Sequence, residues 1–531
     1  MGKYAFPVIA IALFIAFFEL GSFTLFDVDE AVFAQASKEM LHSGDWVTPT
    51  YNGAKRFDKP IMIYWLMAAS YKAFGVNEFA ARFPSAAAAC LLALVVFFFE
   101  GLSKEKSRFS GPFIRRESRA FYASLSLMLS LFFLAYSHAA VTDMTLTLFI
   151  TLSLMCFYLY STKESKGYIY GFYLFSALAF LTKGLIGIIF PVGIAFIYEL
   201  LTGGFFEALK KLWSFPGILL FLAVASPWYI ACYRANGYEF IQNFFIRQHF
   251  ERYLHVISGH TGPVYYYIPV LALGLFPWIA YLPQGIRAAV RERRNSPGLL
   301  AFIWLVFVVV FFSFAKTKLP DYILPGIPAA ALLISSGIGA AAGKKSGRFS
   351  NWFIAFVSLV LAAGFFGAHG YLLKAGINAG WAYWLSGIMF IMAAVSVFNA
   401  AGGKSRTGVL ALLMAAFLTV VTAGAVPAAS RYLQGGLYDF SLYAKKNLRP
   451  GGVLIEYKIN NPSVVFYSGH KIDGIGSVNE LAAALNGAVS AHKQVLIITR
   501  RDDAKDVLAL KGPWQPRLLE TRGDYDLFEK Q

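Results

Sequence analysis

An otherwise apolar sequence is first interrupted by DVDEAVFAQASKEMLHSGDW (Asp27–Trp46) and RFDKPIMIYW (Arg56–Trp65). The apolar spacing after Asp29 is helical and stops at Gly44, which predicts a short helix that begins at Asp29 and lies along a membrane surface. Asp29 is expected to stand where the first membrane helix ends. In the alternative interpretation Asp29 is only an N-cap that accepts backbone N–H bonds. We favour a functional site because other charged residues crowd the same stretch: Asp27, Glu30, Arg56, Asp58 and Lys59.

The composition is typical of an integral membrane protein. The 531 residues are 57% hydrophobic and only 15% charged, whereas soluble domains contain about 25% charged residues. The formal net charge of +17 lies mainly in short loops between apolar runs, so it indicates membrane topology rather than nucleic-acid binding. The cysteines lie in apolar runs without metal-like spacing, and we interpret them as packing residues: Cys90, Cys156 and Cys232.

The apolar runs predict an α-helical polytopic membrane protein. Each run is long enough to cross a hydrocarbon core of about 30 Å, and the runs suggest about thirteen transmembrane helices. They lie near residues 5–26, 81–100, 119–137, 144–161, 168–182, 185–201, 215–233, 264–284, 298–315, 322–342, 351–372, 380–400 and 407–427. The first run is expected to remain as an uncleaved signal anchor, because no small-residue cleavage site precedes the acidic stretch.

The basic loops predict the orientation in a bacterial inner membrane. With a cytoplasmic N-terminus, four loops rich in Lys and Arg fall inside, as the positive-inside rule requires: residues 101–118, 285–297, 343–350 and 402–406. Outer loops 27–80 and 234–263 then face the periplasm. The predicted domains are a transmembrane catalytic domain over 1–427 and a periplasmic α/β domain over 428–531. Strands near 452–457 and 494–499, with helices near 462–468 and 477–486, support the second domain.

Cations near the opening stretch predict an anion site. Lys59, Arg56 and the more distant Arg252 can hold a phosphate by charge-assisted bonds. Asp143 is a single acid in a short outer loop, and its alternative role is the N-cap of the fourth span. Lys183 lies on the same predicted face as Asp29 and Asp143, although a lysine that only snorkels is the commoner case.

Two further loops contain candidate residues. Asp58 and His249 could ligate a divalent metal ion, although their spacing matches no strong ligand pattern, and no cofactor is otherwise indicated. His260 lies in the same outer loop as His249 and is a candidate for a substrate pocket. Between the ninth and tenth spans, the outer lysines Lys316 and Lys318 oppose the positive-inside trend, which suggests an anionic partner or lipid phosphates.

Several short motifs follow one another between about residue 20 and residue 330: Asp29-Glu30, Lys38-Glu39-Met40-Leu41, Ser43-Gly44-Asp45-Trp46, Phe57-Asp58-Lys59-Pro60, Tyr64-Trp65, Thr182-Lys183-Gly184, Pro277-Trp278, Lys316-Thr317-Lys318-Leu319-Pro320 and Tyr322-Ile323-Leu324-Pro325. In this combination they resemble the aminoarabinose lipid A transferases, in the protein-mannosyltransferase-like group of the GT-C superfamily. The resemblance implies a glycosyltransferase that uses a polyprenyl-phosphate-linked sugar at the outer face of the inner membrane.

The resemblance also implies roles for individual residues. Asp29 would be the base or the acid that orients the acceptor, and Asp143 with Glu30 would complete the acidic set. The donor phosphate would be held by Lys59, Lys183 and Arg252, with Arg56 nearby. The lipid or substrate pocket would include Lys318, Tyr322, Tyr64 and His260, and members with a bound metal place it near Asp58 and His249.

The sequence departs from the family pattern at four positions: Val32 replaces a basic residue, Asp58 and Gln248 each replace Glu, and Asp321 replaces a small polar residue. The missing cation at Val32 leaves open which sugar is moved and whether the acceptor is a lipid, a glycan or a protein. The expected partners are the polyprenyl-phosphate donor, that acceptor and membrane lipids, with the chain as a monomer.

Two other classes of function remain as alternatives. A secondary transporter or flippase of lipid-linked sugars would place polar residues at the membrane midplane between repeated halves, and the sequence shows no such halves. A non-catalytic assembly subunit would use the outer domain to bind a partner. Covalent transfer of a sugar would distinguish the glycosyltransferase from both.

Overall fold

The computed structural model describes residues 2–102, 116–163, 165–251, 261–291, 296–341, 345–402, 406–510 and 516–530. The chain divides into two compact units. The first comprises Met1–Leu20, Phe57–Leu66 and Arg82–Ala423, and the second comprises Gly21–Arg56, Met67–Ala81 and Gly424–Gln531. The second unit therefore combines much of the predicted outer loop 27–80 with the predicted C-terminal domain.

Helices dominate the described residues. In chain order they are α1 Gly2–Phe17, α2 Asp29–Ser43, α3 Met62–Phe74, α4 Glu78–Leu102, α5 Arg116–Met128, α6 Leu131–Ser137, α7 Asp143–Lys163, α8 Gly167–Lys183, α9 Ile186–Thr202, α10 Phe205–Leu212, α11 Phe215–Asn236, α12 Tyr238–Phe240, α13 Tyr267–Gly274, α14 Leu282–Arg291, α15 Pro297–Phe314, α16 Ile327–Ala341, α17 Lys345–Lys374, α18 Gly380–Ala400, α19 Thr407–Val420, α20 Val426–Asn447, α21 Pro462–Ser468, α22 Val478–Ser490 and α23 Ala504–Leu508. A π-helix, Ile241–Glu251, continues α12.

The helices confirm a multi-pass membrane protein. Within the described ranges, eight are long and apolar enough to cross a membrane, or ten if each of two bent pairs forms one span. The bent pairs are Glu117–Met128 with Leu131–Ser137, at 61°, and Val264–Gly274 with Trp278–Arg291, at 108°. Shorter helices, including α1, α8 and α9, coincide with the remaining predicted segments. The number thirteen depends on these shorter helices and stays a prediction.

The first span ends earlier than expected. α1 ends at Phe17, where residues 5–26 were predicted, because the backbone turns at Glu19, whose φ of 58° lies in the left-handed region. The polar groups at this turn are satisfied by two buried side chains: Arg82 Nη1 donates to the Leu20 carbonyl at 3.1 Å, and His138 Nε2 lies 2.9 Å from the Phe18 carbonyl. The expectation that Asp29 stands at the end of this helix is therefore wrong.

Helices α14 and α16 of the first unit approach closely through glycine. A Cβ on Gly285 would lie 1.9 Å from the Leu333 carbonyl oxygen, and one on Gly337 would lie 2.0 Å from that of Tyr281. Small residues at such crossings allow membrane helices to pack backbone against backbone. α14 and α16 are thereby packed together, and the chain between them consists of α15 and the loop that carries Asp321.

The short helix predicted after the first span is confirmed, while its position along the membrane surface stays a prediction. α2 runs from Asp29 to Ser43 and ends at Gly44, whose φ of 71° lets its N–H reach the Met40 carbonyl at 3.1 Å. A short hairpin follows, with β1 Thr50–Tyr51 and β2 Ala54–Lys55. At its turn, Asn52 exchanges hydrogen bonds of 2.8 and 3.0 Å with the backbone of Ile472. The hairpin is thereby joined to the C-terminal sheet.

The C-terminal sheet has five strands in the order β4-β3-β5-β7-β6. The strands are β3 Val453–Tyr457, β4 Ile472–Ile475, β5 Val495–Arg500, β6 Pro516–Arg522 and β7 Tyr525–Lys530. β4, β3 and β5 are parallel, whereas β7 pairs antiparallel with β5 and β6. The strands and helices predicted for this region are present, but β4, β6 and β7 were not predicted.

Both faces of this sheet are covered. Alternate residues of a strand point to opposite faces, so Leu454 and Ile455 belong to different cores. α20 and α21 pack on one face through Leu437, Phe440 and Val464, and α22 packs on the other through Leu481 and Leu485. Tyr51 of the hairpin packs against the first core.

Candidate functional site

Lys183 and Asp143 meet at one end of a helix pair. Asp143 is the first residue of α7, and Lys183 is the last residue of the antiparallel α8. The Lys183 Nζ donates to Asp143 Oδ1 at 2.5 Å. Each charge lies at the helix end where the helix dipole favours it. The structure thus brings together two residues that the sequence predicted for the site.

Asp321 adds a second carboxylate to this pair. It lies in the 3₁₀-helix Pro320–Gly326, and its Oδ2 accepts from the Lys183 Nζ at 3.3 Å. The side chains of Lys183, Asp143 and Asp321 are only 11%, 7% and 19% exposed. One ammonium faces two carboxylates, so the cluster has a formal charge of −1. Buried ionic groups are costly unless they are fully paired, which distinguishes this cluster from an ordinary surface salt bridge.

Aromatic and hydroxyl groups complete this cluster. The Lys183 Nζ lies 5.6 Å from the centroid of the Tyr322 ring, within the range of a cation–π contact. Tyr322 is half-buried and packs on Phe312, with ring centroids 4.8 Å apart. Thr142 Oγ1 donates to Asp143 Oδ2 at 3.4 Å. Tyr322 therefore faces the ammonium, and its role in a lipid or substrate pocket stays a prediction.

Lys318 is bonded to the backbone of α15. Its Nζ donates to the carbonyls of Phe312, Ser313 and Ala315 at 3.3, 2.8 and 2.7 Å. The side chain is 5% exposed, and burial lowers the pKa of the ammonium below its usual range. These contacts show a helix-end role for Lys318, while its predicted role in the lipid pocket stays a prediction.

The start of α2 presents Asp29 to solvent. The N-cap of α2 is Val28 and no side chain caps the helix, so the N-cap alternative for Asp29 is not observed. Asp29 is exposed, and no hydrogen bond involves its carboxylate within the described ranges. Its neighbour Glu30 is 5% exposed and accepts from the Phe26 N–H at 2.8 Å. Asp29 is the available acid here, whereas Glu30 supports the backbone.

The remaining candidates near the opening stretch lie in different surroundings. Arg56, in the second unit, is half-buried, and its guanidinium carbon lies 5.7 Å from the centroid of the Phe33 ring. In the first unit, Asp58 and Lys59 are half-buried, and Tyr64 of α3 is fully buried. Their roles in phosphate, metal or substrate binding stay predictions.

Three predicted site residues cannot be placed. Arg252 and His260, and the side chain of His249, lie outside the described residues. Among the residues that are described, no group of three His, Cys, Asp or Glu side chains is arranged to hold a metal ion. The metal site at Asp58 and His249 therefore stays a prediction.

The sequence pattern does not reveal two of the observed contacts. Asp321 follows a lysine-rich loop, but nothing in its local spacing indicates that it reaches Lys183. Asp27 accepts four hydrogen bonds from residues of the C-terminal segment. The only signal for Asp27 is its position two residues before Asp29.

Comparison with known proteins places this arrangement in a family. Residues 58–230 match the family model of dolichyl-phosphate-mannose-protein mannosyltransferase. The crystal structure of ArnT from Cupriavidus metallidurans bound to undecaprenyl phosphate has the same fold, with a TM-score of 0.81 and 24% identity over 99% of this chain and 98% of that one.

Several curated relatives are named undecaprenyl phosphate-alpha-4-amino-4-deoxy-L-arabinose arabinosyl transferase. The relative from Aeromonas hydrophila is 33% identical over 67% of this chain, and the match covers 65% of the relative. The match to a relative from Yersinia enterocolitica covers 60% of that relative. The chain therefore spans less than two thirds of the length of the Aeromonas and Yersinia proteins. The relative from Pectobacterium carotovorum is 30% identical, over 76% of this chain and 72% of the relative. The resemblance in the motifs is thereby confirmed, and the chain belongs to the family of undecaprenyl phosphate-aminoarabinose arabinosyl transferases.

Proposed function

We propose that the chain is an integral membrane glycosyltransferase. It moves a sugar from a polyprenyl-phosphate donor of the undecaprenyl type to a lipid, glycan or protein acceptor, with inversion at the anomeric carbon. The observation that carries the proposal is membership of a family whose curated members are named for such a transfer. The solved structure that shares the fold is bound to undecaprenyl phosphate, which supports this class of donor.

The exposed carboxylate of Asp29 is the proposed general base. The acceptor oxygen attacks the anomeric carbon of the sugar while the bond from that carbon to the phosphate oxygen breaks. Asp29 takes the proton from the acceptor hydroxyl, and the electron pair of the broken bond leaves with the polyprenyl phosphate. Inverting glycosidases use the same arrangement with water as the acceptor. Among the described residues no group donates a hydrogen bond to the Asp29 carboxylate, and the residue is exposed, which supports its proposed role as the proton acceptor.

The cluster at Lys183 is the proposed site of charge stabilisation. A departing phosphate needs cations that are already in place. Lys183 contacts Asp143 at 2.5 Å but Asp321 at 3.3 Å, so the contact with Asp321 is the weaker one. We expect a phosphate oxygen to replace Asp321 beside the ammonium, while Asp143 keeps the lysine oriented. Lys59, Arg56 and Arg252 complete the proposed set of phosphate ligands.

The proposed location is the bacterial inner membrane. The N-terminus is cytoplasmic in this proposal, and the site and the C-terminal domain face the periplasm, where a lipid-linked donor and the envelope acceptor meet. The basic loops support this orientation through the positive-inside rule. The proposed state is a monomer.

Transfer by membrane vesicles tests the proposal. Vesicles that contain the full chain receive polyprenyl-phosphate sugars and an envelope lipid extract, and mass spectrometry identifies the product and hence the sugar. Removing a general base is expected to slow transfer by about 10²–10⁴-fold, so Asp29→Asn should nearly abolish the product. Asp45→Asn is the matched control, because the Asp45 carboxylate accepts hydrogen bonds from the turn N–H groups of Val47 and Thr48.

Undiminished transfer by Asp29→Asn would refute the assigned role. Movement of donor across the vesicle membrane without any covalent product would instead support a transporter.

A further inference from the structure

The C-terminal sheet has the topology of a ligand-binding fold. From β3 the chain crosses through α21 to β4 on one side, and from β4 it crosses through α22 to β5 on the other side of β3. The connections from β3 and β4 therefore run in opposite directions. In open parallel sheets such a switch point forms a crevice at the carboxyl ends of the strands, where ligands bind.

The carboxylate of Asp27 is bonded to residues that follow the carboxyl end of β3. Asn461 is the last residue of the connection that leaves the carboxyl end of β3, and Ser463 is the second residue of α21. Asp27 Oδ1 accepts from the Ser463 N–H at 2.7 Å. Its Oδ2 accepts from Ser463 Oγ at 2.6 Å, from Asn461 Nδ2 at 3.1 Å and from Gln434 Nε2 at 2.9 Å. All four partners are donors, so together they select a carboxylate.

Neighbouring residues attach the same loop to the same region. The Leu25 N–H donates to Tyr467 Oη at 2.8 Å, and the hydroxyls of Thr24 and Ser430 lie 2.6 Å apart. Within α2, the Lys38 Nζ donates to the Phe466 carbonyl at 3.1 Å. The loop that precedes Asp29 is therefore held by side chains and backbone of α20, α21 and the β3–α21 connection.

We propose that the C-terminal α/β domain is an intramolecular receptor for Asp27, and that Asp27 is a positioning residue for Asp29. This inference rests on the proposed function of Asp29 as the base. The crevice that binds a separate ligand in other parallel sheets here holds a carboxylate from the first loop.

The short spacing between the two acids explains the positioning. Only Val28 separates Asp27 from Asp29, and the Asp29 carboxylate has no hydrogen bond within the described residues. The backbone of this turn continues into α2, where the Val32 N–H donates to the Val28 carbonyl at 3.3 Å. The location of the Asp29 carboxylate therefore depends on where Asp27 is held.

The test compares Asp27→Asn with the wild-type full chain in detergent or vesicles. A misplacement of about 1 Å can slow catalysis by about 10²-fold, so we expect kcat to fall by at least about tenfold. The KM for the donor should change by less than about twofold, because a positioning defect acts on the transition state rather than on donor binding. Asp45→Asn, in the same unit, should keep the wild-type kcat.

A charge exchange provides the rescue. The double variant Asp27→Asn with Asn461→Asp exchanges the amide and the carboxylate across the same contact, and it should recover a substantial part of the lost kcat. Ser463→Ala removes one side-chain donor and keeps the backbone donor, so it should give a smaller loss if Asp27→Asn fails to fold.

Hydrogen exchange separates this inference from the proposed function. Amides of residues 24–34 should exchange faster in Asp27→Asn than in the wild type or Asp45→Asn, whatever activity the chain has. Unchanged exchange together with unchanged kcat would overturn the receptor proposal, and so would a raised KM with an unchanged kcat. Faster exchange in a chain without transferase activity would instead refute only the proposed function.

Discussion

Lys318 donates hydrogen bonds to backbone carbonyls at the end of a membrane helix. The last carbonyls of any α-helix have no partner within the helix. At the end of α15, the ammonium of Lys318 donates hydrogen bonds to the carbonyls of Phe312, Ser313 and Ala315. A cation at this helix end also interacts favourably with the helix dipole. Lys316, two residues earlier, is exposed.

Lys318→Met is expected to destabilise the chain. Hydrogen bonds from a charged group contribute about 1.5–3 kcal/mol, and methionine keeps the apolar stem but leaves buried carbonyls without their donor. The apparent melting temperature in detergent should fall clearly for Lys318→Met and remain near the wild-type value for Lys316→Met. If Lys318→Met instead melts like the wild type and loses donor binding, the predicted contact with lipid phosphate is the better explanation.

At the scale of residues, part of the candidate site could be predicted. Asp143 and Lys183 were identifiable because single charges at the ends of apolar runs are costly and usually paired. The contact of Asp321 could not be predicted, because it depends on how the loop after α15 folds back onto the end of α8. The spacing of residues along the sequence does not indicate such a long-range contact.

At the scale of elements, β3 places a second carboxyl beside Asp27. Glu456 is 3% exposed, and both of its oxygens lie 3.3 Å from the Asn461 N–H. Burial, with a contribution from the charge of Asp27, raises the pKa of Glu456 to about 8. Burial also raises the pKa of Asp27. Tyr51 is a further ionisable group here, and it interacts electrostatically with Glu456 and Asp27 as well as with Arg56 and Glu39.

Glu456 should make the stability of the chain depend on pH. Its ordinary pKa is 4.5, and its folded-state pKa is about 8. Between these values the folded chain keeps a proton that the unfolded chain has lost, so stability falls as pH rises through this window. The total loss is on the order of a few kcal/mol. Glu456→Gln should therefore melt at a higher temperature than the wild type at pH 8, with little difference near pH 4.5.

Melting curves of the full chain between pH 4.5 and pH 9 measure this effect. Glu480→Gln is the control, because Glu480 is an exposed helix-start acid of the same domain, with its Oε2 on the Gly476 and Ser477 N–H groups. Parallel pH curves for the wild type and Glu456→Gln would show that Glu456 is charged in the folded chain and would contradict the prediction.

Regular apolar runs made several elements predictable. β3 and β5 are continuous buried runs, and α2 has both helical spacing and a glycine at its end. β4 contains Asp473 and Gly474, and β6 is a largely exposed edge strand with a bulge, so neither shows the apolar pattern of a strand. The end of α1 was missed because apolar residues continue on both sides of the single charged residue of the turn, Glu19.

At the scale of the whole molecule, the orientation is open to a direct test. Ser490→Cys, an exposed position in the C-terminal domain, should react with a charged, membrane-impermeant maleimide in intact spheroplasts. Arg348→Cys, an exposed position within the predicted cytoplasmic loop 343–350, should react only after permeabilisation. The wild-type chain is the background, since Cys232 is buried and Cys90 and Cys156 are half-buried. The opposite labelling pattern would reverse the predicted topology.

The second unit contains an early loop, Gly21–Arg56, the segment Met67–Ala81 and the C-terminal residues Gly424–Gln531. Its core cannot close while the ribosome is still synthesising the intervening membrane helices. The early loop therefore remains without its packing partners until translation is almost finished. A truncated chain, or one whose tail is exchanged for that of a distant homologue, would leave this loop without the surface that shapes it.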